Sequence, residues 1–274
     1  MNKSKSGKNR REFVGLKKHT HVQRTHILKE FVIPTLHREL GDNLVAVAAD
    51  GSYARCEDTD YSDLELMIFV KSKGKMPNGF SKVYDGMLIE GLFVTEEDYH
   101  RMIHEPNEWW YIAGSDELMP IMNKAFVRKV ERYRLKKKAL KCNTIARELI
   151  YEAQEAFGKL FTAIDCRNRE NLFVILSEVV LTTLKLLAYV NQKPYTSSKK
   201  FITEARKFRK KPDGFDEFIG LVTEAGYLDW RLLEKCAVKL FKGIENYFKL
   251  KYDDKIYDDD LSSIYRKDKS KKRR

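Results

Sequence analysis

The segment from Leu44 to Arg55 constrains the fold more than any other part of the chain. It starts with an apolar run, residues 44–49, and then reads Asp50-Gly51-Ser52, which predicts a buried strand that breaks at a tight glycine turn. A short helix should begin at this turn. Gly51 lets the backbone approach a ligand closely, and the free amides of a helix start, the Ser52 hydroxyl and the Arg55 guanidinium all attract phosphate oxygens. The segment therefore predicts one half of a triphosphate site.

A second segment supplies the other half. Asp63-Leu64-Glu65 leads into the apolar run of residues 66–70, as expected where a strand enters the core. Residues i and i+2 of a strand point to the same face, so Asp63 and Glu65 should converge. Mg²⁺ prefers carboxylate oxygens together with substrate phosphates, and it would balance the two charges. Taken singly, these segments could be an ordinary turn and a solvated strand edge, but their combination favours a site.

A third carboxylate lies within the next apolar run, residues 86–94. Glu90 stands in its middle, and a charge inside such a strand is costly unless it meets a cation or a partner. We interpret Glu90 as a third metal ligand. The alternative is a strand-edge glutamate that faces water.

The order of Gly51-Ser52, Arg55 and Ser62-Asp63-x-Glu65 resembles the signature of the polymerase-β-type nucleotidyltransferases. Residues 61–67 are similar in particular to the kanamycin nucleotidyltransferase family, the aminoglycoside 4′-nucleotidyltransferases, and the resemblance extends over about residues 20–252. It implies an α+β fold, in which a nucleotidyltransferase domain with a small mixed sheet flanked by helices precedes an all-α helical bundle. It also implies Mg²⁺-dependent transfer of AMP from ATP to an aminoglycoside hydroxyl, with release of pyrophosphate.

The resemblance also gives roles to residues farther along the chain. Residues 155–159 resemble a helical Glu-Tyr-Ala-Gly-Lys segment of that family, in which the glutamate is the general base and the lysine contacts the phosphates. This implies those roles for Glu155 and Lys159, although from spacing alone they form an i,i+4 pair on a solvated helix face. Residues 195–198 resemble a turn whose hydroxyls approach the triphosphate, which places Ser197 there. Its alternative role is a helix cap.

The sequence pattern and the family resemblance together predict three groups of site residues. The catalytic group is Glu155, Asp63 and Glu65. The metal ligands are Asp63, Glu65 and Glu90. The nucleotide-binding group is Gly51, Ser52, Arg55, Lys159 and Ser197.

Hydrophobic periodicity predicts two folded domains between two charged tails. We place a basic disordered tail at residues 1–19, the nucleotidyltransferase domain at 20–125, the helical domain at 126–255 and a charged tail at 256–274. Helical spacing of apolar residues from Thr20 to Leu40 predicts a helix that Pro34 kinks or splits. Long helices are expected at about residues 136–165 and 171–190.

Composition narrows the class of protein. Of the 274 residues, 43% are hydrophobic and 34% charged, which is typical of a globular domain, and no apolar run was expected to span a bilayer. The N-terminus lacks the apolar centre of a secretory signal, so we expect a cytoplasmic protein that does not contact a membrane. The four cysteines have neither disulfide-framework nor zinc-ligand spacing.

The net charge of +12 has three interpretations: a polyanionic partner, a field that attracts nucleotides, or basic tails alone. We do not expect nucleic acid as the partner, because no recognised binding module accompanies the charge. The resemblance implies a homodimer that shares its active site.

The acceptor is the least constrained partner. Aminoglycosides are polycations and need an acidic cleft, for which the candidates are Glu57, Asp58, Asp60, Glu152 and Glu155. Tyr151 stands where the family has another carboxylate. Alternative functions are transfer to a lincosamide, a protein or an RNA end, or nucleic-acid binding on a degenerate transferase fold.

Overall fold

The computed structural model describes residues 15–104, 106–113, 117–132, 138–224 and 229–252. The chain divides into two compact units. The first combines Met1–Glu148 with Ala188–Glu204, and the second combines Leu149–Leu187 with Ala205–Arg274. These units of contact do not coincide with the sequence-based domain limits, which stay a prediction. Most of the two expected tails, residues 1–14 and 253–274, lies outside the described residues.

The end of the N-terminal tail is placed against the first unit. The Lys17 N–H donates to the Gly86 carbonyl oxygen at 2.8 Å, and the His19 N–H donates to the Asp60 carbonyl oxygen at 2.8 Å. Residues 15–19 belong to the basic tail of the sequence-based limits, and the disorder expected of that tail stays a prediction. Backbone hydrogen bonds to two turns hold them, and a charge count does not reveal such partners.

Two helices precede the sheet, α1 (His21–Ile27) and α2 (Ile33–Leu40), with a π-helical turn at Leu28–Val32 between them. Thr20 caps α1 in a capping box with Gln23. Pro34 has no N–H to continue an α-helical ladder, and the Ile33 N–H donates to the Leu28 carbonyl oxygen in the wider π spacing. The expected interruption near Pro34 is confirmed.

The sheet has five strands within the described ranges: β1 (Leu44–Ala49), β2 (Leu64–Val70), β3 (Gly79–Tyr84), β4 (Met87–Val94) and β5 (Met119–Met122). Their order is β3-β4-β2-β1-β5. β2 and β4 are parallel, with Glu65 opposite Glu90, and the other pairs are antiparallel. The sheet is therefore mixed, and the predicted α+β class is confirmed.

Both faces of the sheet are covered. Leu64, Leu66 and Ile68 of β2 pack with Ile27 and Leu28 of the first helical segment. On the opposite face, Met67 and Phe69 pack with side chains of α4 (Glu96–His104) and α6 (Lys124–Val130), namely Tyr99, Val127 and Val130. Glu65 belongs to this second face by alternation but is exposed, because it lies at the end of β2 where the helical cover stops.

The remaining elements are helical: α3 (Gly51–Ala54), α5 (Trp110–Ala113), α7 (Lys138–Asp165), α8 (Arg169–Asn191), a 3₁₀ turn (Ser198–Lys200), α9 (Phe201–Ala205), α10 (Phe215–Glu224) and α11 (Trp230–Tyr252). In the second unit, Phe157 of α7 packs at 5.0 Å from Phe241 of α11 and 6.3 Å from Phe218 of α10, between ring centres. The predicted helical C-terminal region is confirmed.

Within the described ranges, α8 has the length and composition needed to cross a membrane, with a mean hydropathy of 1.9 over its most apolar window. The expectation that no apolar run reaches this length is corrected. Half of that window is buried inside the molecule, a burial that core helices of soluble proteins also show.

Candidate active site

The glycine turn and the acidic strand are joined directly. β1 ends at Ala49, and Asp50 is the N-cap of α3, whose first residue is Gly51. The Asp50 N–H donates to the Glu65 carbonyl oxygen at 2.9 Å, and the Asp50 carboxylate accepts a hydrogen bond from the Gly51 N–H at 2.7 Å. Two segments that are separate in the sequence therefore form one surface.

Gly51 permits this close approach in two ways. Its φ is +63°, a conformation that residues with a side chain rarely adopt. A Cβ atom built at this position would overlap Oε2 of Glu65. The turn thus requires glycine both for its backbone conformation and for the space that the Glu65 carboxylate occupies.

Asp50 is a carboxylate of this region that sequence reasoning did not single out. Burial raises the pKa of its carboxyl above the ordinary value, while the hydrogen bond from the Gly51 N–H and the charge of Arg55 act in the opposite direction. Its position directly before the glycine was the available signal. We read Asp50 only as the end of an apolar strand.

The three proposed metal ligands lie on neighbouring backbone positions. Glu65 and Glu90 are partners in the parallel register of β2 and β4, and Asp63 precedes Glu65 by two residues. The Ser81 hydroxyl donates to Glu90 Oε1 at 2.7 Å. Among the residues that the structure describes, no three His, Cys, Asp or Glu side chains converge as a set that could hold a metal ion. The metal role of Asp63, Glu65 and Glu90 thus stays a prediction.

A cavity of about 530 Å³, here called the turn cavity, surrounds the glycine turn in the first unit. Its lining combines two carboxylates with hydroxyl groups and three cationic side chains. The acidic members are Asp63 and Glu65, the hydroxyl members are Ser52, Tyr61, Ser62, Thr196, Ser197 and Ser198, and the cationic members are Lys17, Arg55 and Lys199. Four of the five predicted nucleotide-binding residues, Gly51, Ser52, Arg55 and Ser197, thus line one cavity.

Ser197 has the capping role considered for it, and its triphosphate role stays a prediction. Its hydroxyl accepts a hydrogen bond from the Lys199 N–H at 3.2 Å, so it caps the 3₁₀ turn Ser198–Lys200. It also lines the turn cavity. Within the first unit, the Tyr195 N–H donates to the Tyr111 carbonyl oxygen at 2.8 Å and ties residues 195–198 to α5.

Lys199 and Lys17 are cavity residues that sequence reasoning missed. The Lys199 ammonium lies 3.4 Å from both the Thr59 and the Ser62 hydroxyl oxygens, across more than 130 positions of sequence. Lys17 lies in the stretch that was read as a disordered tail. Neither lysine belongs to a motif, so the sequence carried no signal for them.

Three of the proposed acidic-cleft residues are engaged with cations of this chain. Glu57 bonds Lys200 at 2.6 Å, a contact that lowers the pKa of the glutamate, and Arg55 approaches it at 3.3 Å. Asp60 bonds Lys18 at 2.5 Å. The side chain of Asp58 is 2% exposed and is held by Arg24 at 2.9 Å. This loop therefore offers little free negative charge.

Glu155 and Lys159 lie in the second unit, on exposed positions of α7. The Lys159 ammonium bonds Glu155 Oε1 at 3.0 Å and Glu178 Oε1 of α8 at 2.7 Å. These two contacts, the one with Glu178 foremost, raise the pKa of Lys159. The i,i+4 pair of the simpler interpretation is present, with a second carboxylate added, and the base role of Glu155 stays a prediction.

The C-terminal part of the chain matches a known family model. Residues 128–252 match the model described as the KNTase C-terminal domain. The structure is also similar to the crystal structure of a nucleotidyltransferase-like protein from Exiguobacterium sibiricum 255-15, with a TM-score of 0.50 at 10% identity, over 79% of this chain and 74% of that chain. This is a nucleotidyltransferase fold.

The nucleotidyltransferase fold confirms the predicted architecture. The family match of residues 128–252 supports a transferase of that superfamily. The more specific kanamycin nucleotidyltransferase family stays a prediction, because the family match covers less than half of the chain and an identity of 10% carries the fold alone. No curated protein matches the sequence.

Proposed function

We propose that this protein transfers AMP from ATP to a hydroxyl group of a small molecule and releases pyrophosphate. The observation that carries the proposal is the joining of the Gly51 turn to Glu65 at the wall of the turn cavity. That arrangement supports phosphate binding beside carboxylates that would suit a divalent cation. Both are needed for transfer of a nucleotidyl group.

The positively charged lining of the turn cavity supports the proposed binding of the triphosphate. Lys17, Arg55 and Lys199 line the turn cavity together with several hydroxyl groups. A triphosphate carries multiple negative charges, and cationic and hydroxyl donors bind its oxygens with charge-assisted hydrogen bonds. The proposed roles of Ser52 and Ser197 as hydroxyl donors to the triphosphate agree with this lining.

Mg²⁺ is proposed as the cofactor because of the chemistry of the three candidate ligands. The register places Glu65 beside Glu90, and all three candidate ligands offer the hard oxygen atoms that Mg²⁺ prefers. Asp63, Glu65 and Glu90 would hold the ion. When bound, Mg²⁺ would neutralise negative charge that builds on the leaving pyrophosphate.

Glu155 is the proposed general base. Its carboxylate would accept the proton of the acceptor hydroxyl as that oxygen attacks the α-phosphorus and the bond to pyrophosphate breaks. Lys159 would contact the phosphates. Its ion pairs with Glu155 and Glu178 favour the protonated lysine, and a phosphate oxygen would have to replace one of these carboxylates to bind it.

We propose an aminoglycoside of the kanamycin or neomycin type, modified at the 4′-hydroxyl, as the acceptor. A second cavity in the first unit, of about 520 Å³ and here called the strand cavity, shares Glu65 with the turn cavity and also carries Asp50, Ser81 and Glu90. Its lining within the described residues includes no Lys or Arg. Such a lining suits a polycation, and the engaged state of Glu57, Asp58 and Asp60 makes their loop a poorer candidate.

The resemblance to the family also suggests a homodimer with a shared active site, and a cytoplasmic location is proposed separately. Both remain proposals, as does the view that the positive charge serves nucleotide attraction rather than nucleic-acid binding. Sedimentation of the purified protein measures whether it is a homodimer. The rate of association with ATP at rising ionic strength tests the role of the positive charge, because salt screens a long-range attraction and weakens it.

The deciding experiment incubates the protein with ATP labelled at the α-phosphate, Mg²⁺ and a panel of acceptors. Labelled kanamycin or neomycin and stoichiometric pyrophosphate support the full proposal. Label on a lincosamide, a protein or an RNA end alone retains nucleotidyl transfer but rejects the aminoglycoside. RNA binding, with no pyrophosphate released from ATP in the presence of any acceptor, rejects the proposal that this protein is a nucleotidyltransferase.

Asp63→Asn and removal of Mg²⁺ by a chelator should each lower the rate by about 1,000-fold or more, because charge on the transferred group is then no longer balanced. Glu97→Gln is the matched control, since Glu97 is an exposed carboxylate of α4 that lines neither cavity. Full activity of the Asp63→Asn protein would show that the metal assignment is wrong.

A further inference from the structure

Arg24 of α1 is a buried arginine whose donors are all engaged. Its side chain is 1% exposed. The guanidinium donates to five residues: the carbonyl oxygens of Ser62 at 2.9 and 3.0 Å, His19 at 2.8 Å, Thr59 at 2.6 Å and Asp60 at 3.2 Å, and Asp58 Oδ2 at 2.9 Å. Four of the five lie in the segment 58–62. One side chain thus fixes most of the irregular connection between α3 and β2.

This connection leads directly into the candidate active site. Ser62, whose carbonyl oxygen takes two of the Arg24 hydrogen bonds, lines the turn cavity, and so does the next residue, Asp63. Arg24 itself does not line that cavity. Its influence on the site therefore acts through the backbone of Ser62, one peptide unit before the first candidate metal ligand.

The same network ties α1 to the other half of the site. Asp58 Oδ2 accepts one hydrogen bond from Arg24, and His21 Nδ1 lies 2.7 Å from Asp58 Oδ1. The His21 ring stacks on the Tyr53 ring of α3 with centres 4.6 Å apart, and the Tyr53 hydroxyl lies 2.7 Å from the Thr25 hydroxyl. Helix α1 thus contacts the glycine-turn helix and the connection that precedes Asp63.

We propose that Arg24 is a positioning residue of the candidate active site, which fixes the backbone of residues 58–62 so that Ser62 and Asp63 face the turn cavity. The inference rests on the proposed nucleotidyl transfer for its effect on rate. Arginine suits this task because its planar fork carries five N–H donors in fixed directions, whereas lysine has three donors on a flexible stem and cannot reach the same set of carbonyl oxygens.

The experiment compares Arg24→Lys and Arg24→Ala with the wild type in the full chain. We expect folded proteins in which kcat falls by about 10- to 100-fold, as for outer-shell partners of metal ligands. The Mg²⁺ concentration for half-maximal rate should rise, while KM for the acceptor changes little. Guanidinium ion, at concentrations far below those that unfold proteins, should restore part of the rate of Arg24→Ala. Arg38→Ala is the control, because Arg38 is an exposed arginine of α2 paired with Glu39.

Each outcome decides the proposal. Folded Arg24 variants with wild-type kcat and wild-type Mg²⁺ dependence overturn it, and so does a rate loss that appears only near the unfolding temperature. If Arg24→Ala does not fold, Arg24→Lys provides the same readouts, supplemented by hydrogen exchange of the amides in segment 58–63. If the wild type transfers no nucleotide, the proposed function fails. The Arg24 proposal is then decided by Mg²⁺-dependent ATP binding, and unchanged binding by the folded variants overturns it.

Discussion

The amide of Asp50 and the carbonyl oxygen of Glu65 are hydrogen-bonded across 2.9 Å, at the point where β1 gives way to the glycine turn and β2 begins. This bond extends the antiparallel pairing of β1 and β2, in which Ala49 is opposite Leu66. The end of the β1–β2 pair thus sets the distance between the glycine turn and Glu65. Changes at this point should alter chemistry and stability together.

Gly51→Ala tests this relationship. Alanine at φ of +63° costs about 1–2 kcal/mol, and its methyl group must displace the Glu65 carboxylate. We expect a lower unfolding temperature and a large loss of nucleotidyl transfer. Gly158→Ala is the control, because no atom lies within 4 Å of a Cβ there and alanine in a helix interior stabilises by about 0.5–1 kcal/mol. Thermal unfolding and initial rates measure both, and an unaffected Gly51→Ala protein contradicts the geometry.

Lys199→Met tests the cationic lining of the turn cavity. Loss of one charge-assisted contact to a triphosphate should raise KM for ATP about tenfold, equivalent to roughly 1.4 kcal/mol. Lys200→Met is the neighbouring control. Lys200 bonds Glu57 and does not line the cavity, so its KM should stay near that of the wild type. Equal effects of the two substitutions would indicate a general loss of positive field instead of a specific contact.

Glu155→Gln tests the proposed base. The rate of transfer should fall by about 100- to 1,000-fold, whereas ATP binding by calorimetry should change little, because the amide is a poor proton acceptor of similar size. Glu178→Gln removes the other carboxylate bonded to Lys159 and serves as the control. If both variants lose activity equally, the ion pairs of Lys159 matter and Glu155 has no separate role as base.

Glu131 should make stability depend on pH. Burial is the main cause that raises the pKa of its carboxyl above the ordinary 4.5, although the Tyr99 hydroxyl and the Leu118 N–H donate to it and act in the opposite direction. A raised pKa means that the folded state binds the proton more tightly than the unfolded state. The resulting stabilisation is complete below pH 4.5 and is lost as pH rises through the raised value.

Unfolding temperatures of Glu131→Gln and wild type, measured from pH 4 to pH 8, check this expectation. Relative to the glutamine variant, the wild type should become less stable as pH increases across that window. A constant difference would show that Glu131 titrates normally. Glu97→Gln, at an exposed carboxylate of the same unit, is measured alongside as a substitution of the same kind.

Local patterns were enough to predict the strands that carry the site. β1 is a continuous apolar run, and β4 is an apolar run that Glu90 interrupts. The glycine turn and the Asp63-x-Glu65 alternation mark the borders of α3 and β2. β3 was missed because Gly79–Tyr84 is largely exposed and carries Ser81 and Lys82, so it has neither an apolar run nor a clear alternation. β5 is four residues long, contains Pro120 and pairs at the sheet edge, where local signals are weakest.

The contributions from distant segments could not be predicted. Arg24 reads in the sequence as one polar position of an amphipathic helix, and it is buried only because four carbonyl oxygens converge on it from elsewhere. Lys199 likewise reaches Ser62 through tertiary structure. A pattern within one helix reports which side faces the core. It does not report which polar groups from other segments will meet it.

The first unit is built from two pieces of chain, and the second piece, Ala188–Glu204, supplies Thr196, Ser197, Ser198 and Lys199 to the turn cavity. During synthesis, a ribosome completes the sheet and the glycine turn well before it reaches those residues. A fragment that stops at Glu148 therefore lacks one wall of the cavity, however well its sheet folds. The lining of the turn cavity is complete only after residues 149–187 have been translated and the segment Ala188–Glu204 has joined the first piece of chain.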